Sequence, residues 1–188
     1  MHNIPGMPVG SFAVKPGPFM ASFDIFNLKI IGKGGHAAMP QTTIDPIIIG
    51  TKIVDAYQSI VSRYIDPQEP VVLSVTQFHG GDAYNVIPNE IEIKGTVRCF
   101  STKVQASIEK QMENLTSSIC SAYGATYEFE YQHRYPPTIN SAEEVETSLK
   151  VMNEISDESM INTSPSPSMG SEDFDFMLQE KTGRYICI

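Results

Sequence analysis

Basic residues are scarce in this chain: 13 lysines and arginines stand against 22 aspartates and glutamates, for a formal net charge of −9 and a pI near 4.8. Such a balance repels phosphate backbones, so a nucleic-acid-binding role is not expected. No apolar run approaches the roughly 18 residues that a membrane-spanning helix requires, so no membrane partner is expected either. Cysteine is limited to Cys99, Cys120 and Cys187. That odd count without metal-type spacing reads as reduced thiols in a cytoplasmic protein. The opening residues Met1–Pro5 have neither a basic segment nor an apolar stretch, so no secretory signal is expected. Phosphate-binding G-x-x-x-x-G-K, nucleophile-elbow G-x-S-x-G and zinc-binding H-E-x-x-H patterns are all missing.

What remains is an ordinary globular composition, 41% hydrophobic and 19% charged over 188 residues, enough for one domain or slightly more. Residues 1–20 are rich in proline and glycine and read as loops around short extended pieces. Asp24 to Ile31 alternates, with Phe26, Leu28 and Ile30 on one face, as in a half-buried strand. Asp45-Pro46 has the form of a helix cap followed by proline at the first helical position. A stripe of Ile49, Ile53, Ala56, Tyr57, Ile60 and Tyr64 follows at helical spacing.

Val71 to Phe78 predicts a second strand, and Gly80 to Pro88 a long turn. Glu90 to Phe100 predicts a third strand, with Ile91, Ile93 and Val97 inward and Glu92, Lys94 and Arg98 outward. Ser101 or Thr102 caps a second helix with the stripe Val104, Ile108, Met112, Leu115 and Ile119, and Gly124 suits its left-handed terminus. Thr126 to Gln132 predicts the fourth strand. The order β-α-β-β-α-β specifies an α+β, ferredoxin-like domain with a four-stranded antiparallel sheet and both helices on one face. Beyond Pro136-Pro137, a helix is expected from about Ala142 with Val145, Leu149, Met152 and Ile155 inward. A short helical piece follows Gly170–Phe174.

Two loops draw attention. Gly32–Pro40 (GKGGHAAMP) and Gly80–Glu90 (GGDAYNVIPNE) each place one polar group, His36 or Asn85, in a turn beside a strand, where binding groups concentrate. The flanking glycines and alanines leave the His36 imidazole uncrowded. It suits a donor to a developing oxyanion or a metal ligand, or equally a surface histidine without a role. Asn85 suits either a substrate-orienting amide or an Asx-type turn. Arg98 is a natural carboxylate partner, or a solvated charge on an open sheet face. Glu172 and Asp173 fit helix-start carboxylates.

The stretches HNIPGMPVG (His2 to Gly10), GKGGHAAMP, SVTQF (Ser74 to Phe78), GDAYNVIP, GTVR (Gly95 to Arg98) and GSEDF (Gly170 to Phe174) occur in an order that resembles the metal-dependent amidohydrolases. That family includes aminoacylases, hippurate hydrolases and indole-acetyl-amino-acid hydrolases. The resemblance implies a lid or dimerisation domain over residues 22–135. It also implies partial segments of an α/β catalytic domain over residues 1–21 and 136–188. By the same resemblance, His2 corresponds to a metal ligand and His36 to a histidine that stabilises the oxyanion, often in a neighbouring subunit's site. Asn85 and Arg98 correspond to positions that hold the acyl or carboxylate end of an N-acyl amino acid.

The implied cofactor is a divalent metal (Zn, Mn, Co or Ni), and the implied assembly is a homodimer through the lid. The family's Gly-His-Asp stretch, its Glu-Glu pair and its last ligand histidine are not found. A metal-activated water needs several ligands and a base. The chain is therefore expected to behave as a fragment that binds metal poorly and is inactive alone, or as a non-catalytic dimerisation module. An RNA-recognition use of the same fold would need aromatics in the middle of the third strand, where Lys94–Arg98 has none.

Overall fold

A computed structural model describes residues 1–188. In chain order its elements are β1 (Phe12–Ala13), β2 (Gly17–Met20), β3 (Phe23–Ile31), β4 (Gly35–His36), α1 (Pro46–Ser59), β5 (Val71–His79), β6 (Val86–Ile87) and β7 (Glu90–Cys99). They continue as α2 (Thr102–Tyr123), β8 (Thr126–Tyr135), β9 (Thr138–Asn140), α3 (Ala142–Ile155), β10 (Ile161–Asn162) and α4 (Asp175–Glu180). The chain divides into two compact units, Asp24–Arg134 and Met1–Phe23 with Tyr135–Ile188.

The central unit has the β-α-β-β-α-β order expected of the sequence. Its sheet runs β5-β7-β3-β8. The β3–β7 and β5–β7 ladders are both antiparallel, and the second slips by one residue between Val75 and Gln77. Strict alternation along β3 and β7 buries every second side chain, because a strand turns successive side chains to opposite faces. Phe26, Leu28, Ile30, Ile91, Ile93 and Val97 form the core with Ile49, Ile53, Tyr57, Ile108 and Met112 from the two helices.

Both helix starts are capped as their sequences predict. Asp45 Oδ1 accepts from the Ile47 N–H at 2.9 Å, and the Ser101 hydroxyl faces the Val104 N–H. Gly124 closes α2 in the left-handed region, at φ +73°.

One stripe residue departs from expectation. Regular α-helix ends at Ser59, and Ile60–Tyr64 forms a wider π turn closed by the Ile65 N–H on the Ile60 carbonyl. The extra residue in that turn rotates Tyr64 into solvent and brings Ile65 to the core in its place. The core also holds an unforeseen polar pair: the Tyr57 hydroxyl and Thr116 Oγ1 are 2.6 Å apart and buried.

The second unit contains a short antiparallel pair, β2 with β9, and a parallel pair, β1 with β10. Val145 and Met152 of α3 pack on Val14, with Phe12, Leu149, Ile161 and Ile186 at the margin. Ile155, expected on this stripe, is exposed, because α3 ends there and the chain turns away at Ser156. A second small cluster joins Phe19, Met20 and Tyr185. Asn140 knits this unit together: its amide donates to the Lys15 and Tyr185 carbonyls, and its oxygen accepts from the Tyr185 N–H. No helix in the chain is long and apolar enough to cross a membrane.

Candidate functional site

The loops bearing His36 and Asn85 are brought together. β4 and β6 pair antiparallel, with Gly35 opposite Ile87 and His36 opposite Val86, and the Ala37 N–H donates to the Asn85 carbonyl at 2.9 Å. His36 and Asn85 are both exposed. The Ala38 N–H donates to His36 Nδ1 at 3.1 Å. An accepting Nδ1 carries no proton, so in the neutral ring the proton is on Nε2. The loop therefore offers an exposed N–H donor on His36 within one short ladder of the Asn85 amide. Beside it, a depression of about 1,090 Å³ is lined by Gly34, Gly35, Val86, Asn89, His79 and Asp82, among others.

Arg98 lies elsewhere. It is on β7 eight residues beyond Glu90, and at about 3.3 Å per residue that is roughly 26 Å along the strand from the β4–β6 end. Within one chain, Arg98 and the His36–Asn85 pair do not face a common amino-acid-sized ligand. Partial burial lowers the Arg98 pKa, while the negative charge of Asp24 acts in the opposite direction.

Asp24 is the least expected polar residue of the central unit. It shares the buried face of β3 with Phe26 and is fully covered. Its carboxylate accepts from Gln105 Nε2 at 2.6 Å and from the Tyr131 hydroxyl at 2.8 Å, and His133 Nδ1 is 3.3 Å away. The other ring nitrogen of His133 meets Glu109 at 3.0 Å. Burial raises the Asp24 pKa, and these hydrogen bonds offset part of the rise. Its alternation with Phe26 was the sequence signal that could have placed it inside.

His2 is in the second unit. Its Nδ1 is 3.4 Å from Glu172 Oε2, and that carboxylate also accepts from the Tyr185 hydroxyl at 2.6 Å. The Tyr185 bond is the main cause of a lowered Glu172 pKa, with His2 contributing less. No group of three or more histidine, cysteine, aspartate or glutamate side chains is arranged to hold a metal ion. A zinc ion held by protein side chains takes three or four of them. The single His2–Glu172 pair therefore does not fit a metal centre by itself.

Asp175 stands close by. It is buried, Thr138 Oγ1 donates to its Oδ1, and its Oδ2 has no partner. Burial, with the charges of Glu172 and Asp173 as smaller contributions, raises its pKa to about 6.

Three comparisons bear on this arrangement. Residues 23–124 match the peptidase dimerisation domain family. The chain is 51% identical over 131 residues to the N-acyl-L-amino acid amidohydrolase of Geobacillus stearothermophilus, which covers 70% of this chain and 35% of that protein. It is 39% identical over 186 residues to thermostable carboxypeptidase 2 of Saccharolobus solfataricus, covering 98% of this chain and 46% of that protein. Its backbone also resembles the crystal structure of the YXEP protein of Bacillus subtilis, a dinuclear metal binding peptidase of the M20 family. There the TM-score is 0.81 at 28% identity, covering all of this chain and 46% of the other. The chain thus spans between about a third and a half of the length of the relatives it matches.

Proposed function

The chain belongs to the M20 peptidase family, and on that premise we propose that it supplies the dimerisation half of an amidohydrolase acting on N-acyl amino acids. The observation that carries this reading is the His36–Asn85 pairing. An exposed imidazole with its proton on Nε2 is a ready donor to the oxygen that becomes negative when an amide carbonyl is attacked. One such donor is typically worth about 10²–10³ in rate. Asn85 orients the acyl or carboxylate end of the substrate through its amide, and Arg98 binds a carboxylate as a guanidinium does best, with two parallel N–H bonds.

The roughly 26 Å between these groups along β7 has a consequence for assembly. His36 and Asn85 serve one active site, and Arg98 of the same chain serves another. A homodimer meets that requirement, since each site then draws on both protomers. Exposed Tyr84 and Val86 beside Asn85, and exposed Met39 beyond His36, supply apolar surface for the contact.

The Geobacillus relative is named for amidohydrolysis of N-acyl-L-amino acids and the YXEP protein for a dinuclear metal site. By that relationship the complete hydrolytic centre uses a divalent metal. The side chains here do not compose one, so the chain alone is proposed to be inactive.

The test is a nuclear magnetic resonance titration of the full chain with N-acetyl- and N-benzoyl-amino acids. The His36 ring and the Asn85 side-chain amide should shift together, and His36→Ala should abolish the Asn85 response. Absence of any His36 or Asn85 response at tens of millimolar ligand would refute the assignment. In the same samples, adding Zn²⁺, Mn²⁺ or Co²⁺ should give no turnover above a His36→Ala control, and clear turnover would overturn the proposed inactivity.

A second reading, a non-catalytic dimerisation module, is favoured by the family match lying on residues 23–124. Light scattering distinguishes them only jointly with the titration. A dimer that shows no ligand response supports the module, and a clean monomer over a wide concentration range removes it.

A further inference from the structure

We propose that Asn89 is a positioning residue for His36, its side chain standing in for a backbone acceptor at a register slip. β3 and β7 pair in one unbroken register from Asp24 opposite Val97 to Ile31 opposite Glu90. If that register continued, His36 would fall opposite Asn85. Instead, β4 and β6 set His36 opposite Val86 and Gly35 opposite Ile87. One extra residue has therefore been inserted on the glycine-rich side, between Ile31 and Gly35. A slip of one residue exchanges the two faces of a strand, so the slip decides to which side the His36 imidazole is presented.

Such a bulge leaves N–H groups without their ladder partners. The sheet register still holds at Gly32, whose N–H donates to the carbonyl of Asn89 opposite it at 2.8 Å. Past it the slip leaves the Gly34 N–H, and Asn89 Oδ1 accepts from that group at 2.9 Å.

The glycine at position 34 permits this approach. A Cβ there would lie 2.5 Å from the Ile87 carbonyl oxygen and 3.0 Å from Asn89 Oδ1. On the opposite side, Lys33 and Ile44 exchange both backbone hydrogen bonds at 2.9 Å. The segment before His36 is thus held from both edges, and Asn89 is the only side chain in the clamp. The same clamp sets the turn in which Ala38 donates to His36 Nδ1.

The functional meaning of the clamp rests on the reading of His36 as an oxyanion donor; the clamp itself is tested without it. The experiment is amide hydrogen exchange on the full chain for wild type, Asn89→Ala and Asn89→Asp, together with the His36 ring ¹⁵N shifts. Loss of one partly solvated hydrogen bond should speed exchange at Gly34 and Ala37 by about threefold to tenfold in Asn89→Ala. The His36 Nδ1 shift should move with it. Asn89→Asp retains an acceptor and should restore both. Gly32, which bonds to the main chain of Asn89, and Ile30 and Ile93 in the sheet should not change.

Unchanged exchange at Ala37 or an unmoved Nδ1 shift in Asn89→Ala would overturn the proposal. So would an Asn89→Asp variant that behaves like alanine, or equal acceleration at Ile30 and Ile93. If the exchange result holds while N-acyl amino acids leave His36 unperturbed, the clamp stands and the oxyanion role falls. If the titration succeeds and exchange is unaltered, the reverse is true.

Discussion

Raising the pH from 4 to 8 should destabilise the unit that contains Asp175, with the loss concentrated between about pH 4 and pH 6. The perturbation follows from a buried carboxyl group that has one partner where it needs more. Thr138 donates to Oδ1, Oδ2 has none, and the side chain is 1% exposed. Desolvation therefore raises its pKa from an ordinary 3.8 to about 6, helped by the charges of Glu172 and Asp173. A carboxyl whose folded pKa exceeds its unfolded pKa holds its proton more tightly when folded. Its stabilising contribution is complete below the unfolded pKa and is lost as the pH rises through the folded value. The gap between 3.8 and about 6 corresponds to about 3 kcal/mol, at about 1.4 kcal/mol for each tenfold change in proton affinity.

The assay is urea unfolding at half-unit steps of pH, followed by the native Tyr185 amide signal, since that N–H bonds to Asn140 Oδ1 within the same unit. The carboxamide introduced by Asp175→Asn cannot ionise, so the difference between wild type and this variant isolates the effect from Glu172, Asp173 and His2. Any penalty for burying an unpaired amide is a constant offset between the two curves. The reasoning is refuted if that difference is flat across the range, or if wild type gains stability relative to the variant as the pH rises.

Two further outcomes follow from the central unit. Tyr57→Phe strands the buried Thr116 hydroxyl, whose phenolic partner is 2.6 Å away, and should cost about 1–3 kcal/mol in urea unfolding; a neutral result would mean that Thr116 finds another hydrogen-bond partner. Gly124→Ala meets nothing nearer than Ile44 Cδ1 at 3.8 Å, yet φ is +73° there, so the cost should be the backbone conformation alone, about 1 kcal/mol. A much larger loss would point to a steric clash instead.

Much of the central unit was legible because period alone distinguishes its elements. Phe26, Leu28 and Ile30 alternate, and Ile49, Ile53, Tyr57 and Ile108, Met112 recur at helical spacing. Asp45-Pro46 and Gly124 mark helix ends by local sterics. These signals need no knowledge of distant contacts. Tyr64 and Ile155 misled for the same reason: a stripe extrapolated to or beyond a helix end takes no account of a π turn or of the chain leaving the core. His36 and Asn85 were picked out as a pair of loop residues and Arg98 from its motif, but nothing in a linear pattern measures the length of β7 between them.

The sequence by itself determined the order of strands and helices, the faces they bury and the loops that hold His36 and Asn85. It did so because those properties depend on neighbours within a few residues. Only the tertiary structure decided that the two loops form one ladder, that Arg98 lies at the other end of the sheet, and that Asp24 and Asp175 are buried. It also decided the one-residue slip at Gly32–Gly34 and the place of Asn89 beside it. Register and burial arise where segments distant in sequence meet, and a single added residue on one strand changes which side of the sheet a histidine faces.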